Sequence, residues 1–201
     1  ERYLADHADH ARAAEMRYSL AVAMAREGES SEAKTVLESL RDAELSRLDR
    51  VFYELAWVYR RLDDEAAALA AFERVANLSE DEDLAGEACL QIGEALIKGE
   101  GDTDEVLGWL QKVKGKYTAR AQYLSGFTEF EREQFEQALG HFNRVLGEES
   151  ELALEASFFA GECLFRQEKY SAASEHYGVL LGANAEHERG QLARLHNGEA
   201  L

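Results

Sequence analysis

Apolar residues recur along this chain at the three- and four-residue steps of a helix rather than the two-residue step of a strand, and they come in paired blocks. Phe52, Leu55, Ala56 and Tyr59 form one stripe, and Ala68, Phe72 and Val75 form the next. Between them lies the polar run Arg61-Leu62-Asp63-Asp64, with an acid placed to cap the following helix. The arrangement returns upstream as Leu20, Ala21 and Met24, then Gly28-Glu29-Ser30, then Ala33, Leu37 and Leu40. It returns downstream as Gly161, Leu164 and Phe165, then Tyr170, Ala173, Tyr177 and Leu180. The pattern predicts two helices of about 13 residues per unit, roughly 20 Å each at about 1.5 Å per residue. Neither helix buries its stripe alone, so the pairs must stack.

The period is close to 35 residues. Small residues late in each pair fall at Ala33, Ala68, Val106, Ala138 and Ala173, with steps of 35, 38, 32 and 35. An earlier set falls at Ala21, Ala56, Gly93, Gly126, Gly161 and Gly198, with steps of 35, 37, 33, 35 and 37. The long step and the short one cancel, as they would if Gly99-Glu100-Gly101-Asp102 lengthens one turn. Two helices approach closely only where neither carries a bulky side chain, and stacked hairpins repeat that demand every period. The reading is all-α, with about five helical hairpins at residues 13–47, 48–82, 85–117, 118–152 and 153–187, and partial units at 1–12 and 188–201. Asn197-Gly198-Glu199-Ala200-Leu201 echoes Gln91-Ile92-Gly93-Glu94-Ala95-Leu96, and neither end carries a polar capping helix. The chain therefore reads as a segment of a longer array.

Composition narrows the partners. Forty acids against 22 bases leave a net charge of −18, the wrong sign for DNA, RNA or an anionic membrane surface. With 46% hydrophobic residues the charge does not imply disorder. The longest purely apolar run, Ala66 to Phe72, is far short of the ~20 residues of a membrane span, so direct membrane insertion is not expected. Two cysteines exclude a disulfide scaffold or a cysteine zinc cage. Proline is absent, which leaves the chain able to be helical almost throughout.

The units resemble the tetratricopeptide repeat. The likeness rests on a small residue at the eighth position, Ala at the twentieth and an aromatic at the twenty-fourth. Good instances are Tyr53-Glu54-Leu55-Ala56-Trp57-Val58-Tyr59 with Ala68 and Phe72, and Gly126 with Phe135, Ala138 and Phe142. The family's proline after the second helix is missing, and Val106 stands where Ala is usual. The resemblance implies a right-handed superhelical solenoid whose first helices line an inner groove. It also implies a non-enzymatic scaffold that binds other proteins. Glu1-Arg2-Tyr3-Leu4, followed by Asp9-His10-Ala11-Arg12-Ala13-Ala14-Glu15, resembles bacterial cell-envelope repeats. Those include the periplasmic Tol–Pal coordinator and the outer-membrane assembly lipoproteins. That implies a periplasmic or envelope location, with the cytoplasm as the alternative.

Groove-facing positions are aromatic-rich. Position 5 reads Tyr18, Tyr53, Leu90, Tyr123, Phe158; position 9 reads Val22, Trp57, Glu94, Phe127, Glu162; position 12 reads Ala25, Arg60, Ile97, Phe130, Phe165. Rings give large contact area at small entropic cost, which suits a peptide or helix of a partner. Position 5 serves either that groove or the packing against the neighbouring unit. Position 13 is nearly always basic, with Arg26, Arg61, Lys98 and Arg166 and only Glu131 acidic, and reads as cations in the last helical turn, favoured there by the dipole. The carboxylate clamp of chaperone-binding relatives, with Asn at positions 6 and 9, is absent. Position 2 alternates Glu15, Arg50, Glu87, Arg120, Glu155, which predicts a ladder of ion pairs between units. The candidate binding residues are Tyr18, Tyr53, Trp57, Arg60, Arg61, Tyr123, Phe127, Phe130, Phe158, Glu162 and Phe165. The expected partner is a protein segment carrying basic and apolar residues.

No catalytic residue, metal or cofactor is expected. Asp6-His7, Asp9-His10 and the equivalently placed His141 and His176 offer ligands without clear convergence on one face. Asp81-Glu82-Asp83 lacks the spacing and glycine of a calcium loop. Cys89 and Cys163 lie within helical stripes as small apolar residues. Two other readings remain open: a structural subunit of an envelope assembly, self-associating through the ends of the array, and a regulatory arm of an enzyme outside this segment.

Overall fold

The computed structural model describes residues 11–43, 45–147, 150–184 and 186–200. Among them are eleven α-helices and no strand, as the apolar periodicity predicts. They are α1 (Ala11–Glu27), α2 (Ser30–Glu38), α3 (Leu48–Arg61), α4 (Glu65–Leu78) and α5 (Glu82–Lys98). After these come α6 (Thr103–Gln111), α7 (Thr118–Glu131), α8 (Phe135–Phe142), α9 (Glu151–Arg166), α10 (Tyr170–Ala183) and α11 (Gly190–Ala200). Contacts divide the chain into two compact units, Glu1–Ile92 and Gly93–Leu201, with the division inside α5. In the first unit α1 packs on α2 and α3 on α4, and the first helices α1 and α3 also touch. In the second, α7 packs on α8 and α9 on α10, while α9 touches both α7 and α11.

One local device makes the hairpins. The N–H groups of Glu29, Asp64, Gly101, Gln134 and Lys169 each return to the carbonyl five residues earlier, at 2.8 to 3.0 Å. The residue before each donor has left-handed backbone: Gly28 at φ 89°, Asp63 at 58°, Glu100 at 53°, Glu133 at 61° and Glu168 at 59°. This is a Schellman ending, which satisfies the orphan carbonyls of the first helix and turns the chain sharply. The second helix then starts at once. Asp64 accepts from the Ala67 N–H at 3.1 Å and Asp102 from the Glu105 N–H at 3.0 Å, the capping expected of an acid in the turn.

The helices then close on their small residues. A Cβ placed at Gly93 would lie 2.7 Å from Leu110, at Gly126 2.8 Å from Phe142, and at Gly161 2.7 Å from Tyr177. Ala21 and Ala56 are fully buried in the equivalent places, as are Ala33, Ala68, Ala138 and Ala173 on the facing helices. Second helices α4 and α10 have 14 residues each, close to the predicted length, whereas α2 has 9, α6 has 9 and α8 has 8. Beyond α2 and α8 the chain continues in tighter turns, with Leu40 N–H bonding the Leu37 carbonyl at 3.0 Å and Val145 N–H the Phe142 carbonyl at 2.9 Å. Leu40 and Val145 stay buried, so the apolar stripe outlasts the α-helix.

The position-2 ladder is replaced by other pairs. Arg50 reaches Asp81 at 3.2 Å, and Arg120 reaches Glu94 at 2.6 Å. Glu87 instead accepts from the Tyr53 hydroxyl at 3.0 Å, and Glu155 takes Arg189 at 3.4 Å. Loop residues take Arg50 and Glu155, a tyrosine takes Glu87, and Arg120 takes a glutamate two turns further along α5 than its opposite number.

Gly161→Ala is expected to cost about 1–3 kcal/mol, because the new methyl overlaps the Tyr177 ring. Gly178→Ala on α10, where a Cβ meets nothing within 4 Å, should instead add up to about 1 kcal/mol from helix propensity. Denaturant midpoints of the two variants against the parent chain check both signs.

Candidate functional site

In the first unit α1 and α3 carry the predicted positions. Tyr18 is half-buried, and burial followed by the nearby Glu54 carboxylate pushes its hydroxyl above the ordinary tyrosine value. With Glu15, Leu45, Arg47 and Val51 it lines a cavity of about 260 Å³. Tyr53 and Trp57 lie edge-on to each other with centroids 6.2 Å apart, and Trp57 lies edge-on to the buried Phe72 at 5.5 Å. The Arg60 guanidinium sits 5.3 Å from the Trp57 ring centre and 5.0 Å from that of Phe72. It also pairs with Glu65 at 3.2 Å and donates to the Gln91 side chain on α5. Arg60 is thus a bridge between first helices with its donors largely used. Arg61 donates to the Ala25 carbonyl, so it serves the last turn of α1 as well as its own helix end.

In the second unit the rings gather on a residue that the groove positions leave out. Phe159 is buried at 5% exposure, and the centroids of Phe127, Phe130, Phe158, Phe142 and Tyr123 lie 5.4 to 6.2 Å from its own. Most of these contacts are edge-to-face, the arrangement aromatic pairs prefer. Phe127 and Phe130 on α7 are half-buried, and Phe130 also leans on Phe135 at 5.6 Å. Tyr123 is half-buried with its hydroxyl 3.4 Å from Glu155; burial and that carboxylate push it up to about 12.

Two predicted groove residues are not on an open surface. Phe158 is 2% exposed, against Tyr177 and beneath the Arg189 guanidinium. Glu162 is 5% exposed; its Oε1 accepts from the Tyr177 hydroxyl at 2.7 Å and lies 2.5 Å from His196 Nδ1. A buried carboxylate needs such donors. The Tyr177 hydroxyl is driven well above its ordinary value by burial and by Glu162. Phe165 is half-buried, with the His196 ring stacked on it at 5.0 Å. The sequence carries no signal for this pairing beyond the 34-residue spacing of Glu162 and His196, about one period.

The described residues contain no group of three or more His, Cys, Asp or Glu side chains able to hold an ion. Asp6-His7 and Asp9-His10 lie outside the described residues. His141 Nδ1 is 2.9 Å from Gln122 Oε1; burial holds both it and His176 below the ordinary imidazole value. His187 is buried with Nε2 2.7 Å from Glu151 and 3.4 Å from Glu155, but without hydrogen-bond alignment. Its Nδ1 accepts the Arg189 N–H at 3.1 Å, which puts the ring proton on Nε2. That backbone N–H takes the lone pair through which a histidine would ligate a metal. Burial pushes the Cys163 thiol up to about 12, so it is inert.

A family model for the tetratricopeptide repeat matches residues 50–79, the hairpin of α3 and α4. Among solved structures, YrrB, described as a tetratricopeptide-repeat protein with an unusual peptide-binding site, is 18% identical. The match covers 96% of each chain with a TM-score of 0.71. MamA from Desulfovibrio magneticus RS-1 is 20% identical over 87% of this chain and 97% of its own, with a TM-score of 0.60. PilF of Pseudomonas aeruginosa is 15% identical over 93% of this chain and 88% of its own, with a TM-score of 0.59. At these identities the likeness shows the fold: helical hairpins of the tetratricopeptide-repeat type. No curated protein sequence matches this chain.

Tyr59, like Tyr123, is pushed up to about 12, by burial first and then by its bond to Glu38. The folded chain therefore keeps protons that the unfolded chain releases near 10, and stability is expected to fall as pH climbs from about 10 to about 12. Tyrosinate absorbance should show a late-titrating class whose rise coincides with loss of helical circular dichroism. Replacement of both tyrosines by Phe should shrink that late class, leaving Tyr177 and Tyr18 in it.

Proposed function

We propose that the protein is a non-enzymatic binding scaffold whose first-helix face holds a partner segment with large apolar side chains flanked by Lys or Arg. The observation that carries this is the α7 face. Phe127 and Phe130 rest on Phe159 yet stay half-buried, so rings held rigid from behind remain open to contact. Half-buried aromatics braced by a packed core are the usual anchors of an interface. The net charge of −18 favours a basic partner and faster encounter with it. Trp57 under Arg60 in the first unit offers a second, more polar contact. Binding by tetratricopeptide-repeat structures supports the reading, since YrrB is itself described by a peptide-binding site. The anchors in this reading are Tyr123, Phe127, Phe130 and Phe165 in the second unit, and Tyr53 and Trp57 in the first.

An array of peptides probed with the labelled chain tests it, and the bound set should be enriched in large apolar residues next to Lys or Arg. Phe127→Ala combined with Phe130→Ala should weaken the best peptide at least about tenfold, roughly 1.4 kcal/mol. Raising salt from about 50 to about 500 mM should weaken it further. Enrichment of acidic peptides, or affinity untouched by the double variant, would overturn the proposal.

A further inference from the structure

Positions 2 and 13 of each first helix lie eleven residues apart, and in α1, α5 and α9 they hold an acid and then a base: Glu15 and Arg26, Glu87 and Lys98, Glu155 and Arg166. α3 holds two bases, Arg50 and Arg61. α7 alone reverses the order, with Arg120 in its first turn and Glu131 in its last. The helix dipole favours acids at the amino end and bases at the carboxyl end, so this order works against the helix that carries it. The surroundings extend the reversal. Residues 106–128 include no acid, and Lys112, Lys114 and Lys116 stand exposed just ahead of α7. Past its other end Glu133 is exposed, and Arg132 is taken by Asp104 at 3.1 Å. Helix stability does not account for that order, whereas recognition of a partner does.

The reversed charges lie in line with the proposed anchors. Arg120, Tyr123, Phe127 and Phe130 are spaced by three, four and three residues, and Glu131 follows Phe127 by four. One stripe of α7 therefore runs base, rings, acid. Arg120 donates from Nε to Glu94 at 2.6 Å yet keeps 57% of its side chain exposed, and Glu131 is exposed. We infer that α7 sets the direction in which the partner segment lies. An Asp or Glu of the segment meets Arg120, its large apolar side chains cover Phe127 and Phe130, and its Lys or Arg meets Glu131. The inference rests on the binding reading above and adds to it the acid and the fixed order. Arg120 and Glu131 are about 16 Å apart along the axis, the length of about eleven residues of helix or about five of extended chain. A segment lying the other way sets acid against Glu131 and base against Arg120, and that like-charge contact excludes the wrong direction.

Labelled peptides titrated with the 201-residue chain and read by fluorescence anisotropy test it. Each peptide carries Glu near one end, Phe and Leu at the centre and Arg near the other, with the charges about five or about eleven residues apart. Companion peptides replace the Glu or the Arg by Gln. Against the parent chain each replacement should weaken binding about two- to fivefold, the range of an exposed ion pair. Against Arg120→Gln the loss from replacing the peptide's Glu should vanish and the loss from replacing its Arg persist; Glu131→Gln should show the converse. Both positions are exposed, so helical content should hold in either variant. Glu131→Arg, which restores the base found in the sister helices, should weaken the unreplaced peptide while the denaturant midpoint holds or rises. Salt at about 500 mM should erase both couplings. Losses independent of Arg120 and Glu131, or couplings crossed the other way, overturn this inference and leave binding through Phe127 and Phe130 standing. Failure of every peptide to bind, or binding untouched by Phe127→Ala with Phe130→Ala, overturns both.

Discussion

Close approach of two helices at a residue without side-chain bulk is the constraint on which this structure rests. At Gly126 and Gly161 the ring of the partner helix occupies the space a Cβ would need. That sets each hairpin's helices close enough for Phe142 and Tyr177 to be completely buried. The hairpin turn must deliver the second helix at that distance without slack. A left-handed residue followed by a Schellman bond does so five times, four of them with an acidic residue where glycine would be least strained. Backbone strain in the turns is offset by burial at the crossings.

Once hairpins have that geometry, the fate of each groove position depends on what its neighbour supplies. Tyr123, Phe127 and Phe130 look across to Phe159, which supports them from behind and leaves them half-buried. Phe158 and Glu162, on the next first helix, are covered because α10 and α11 bring Tyr177, Arg189 and His196 over them. Equal positions in the repeat are thus half-buried in one hairpin and core in the next. The difference is chemical as well as steric. A carboxylate can be buried only where donors meet it, and Tyr177 and His196 do so.

Polar contacts between first helices play a positioning part. Arg60 spans from α3 to Gln91 while lying over Trp57, and Tyr53 reaches Glu87. These bonds are half-exposed and add little stability individually. They fix which side chains face each other, and the first unit is left more polar on this face than α7 is in the second.

Helical class, period, hairpin count and the small-residue crossings were legible in the amino-acid order, because each follows from local spacing: Ala56, Gly93, Gly126 and Gly161 recur every 33 to 37 residues, and the bulky residue 16 or 17 positions on completes the crossing. The capping by Asp64 was legible for the same reason. Tertiary structure alone decided that Phe159 is the hub, that Phe158 and Glu162 are covered, and that Arg50 and Arg120 pair with Asp81 and Glu94 instead of with their counterparts one period on. Burial and partner choice depend on rotamers and on residues a whole period away. A repeat pattern specifies that two helices touch, but it leaves to three-dimensional packing which side chain of the neighbour arrives first.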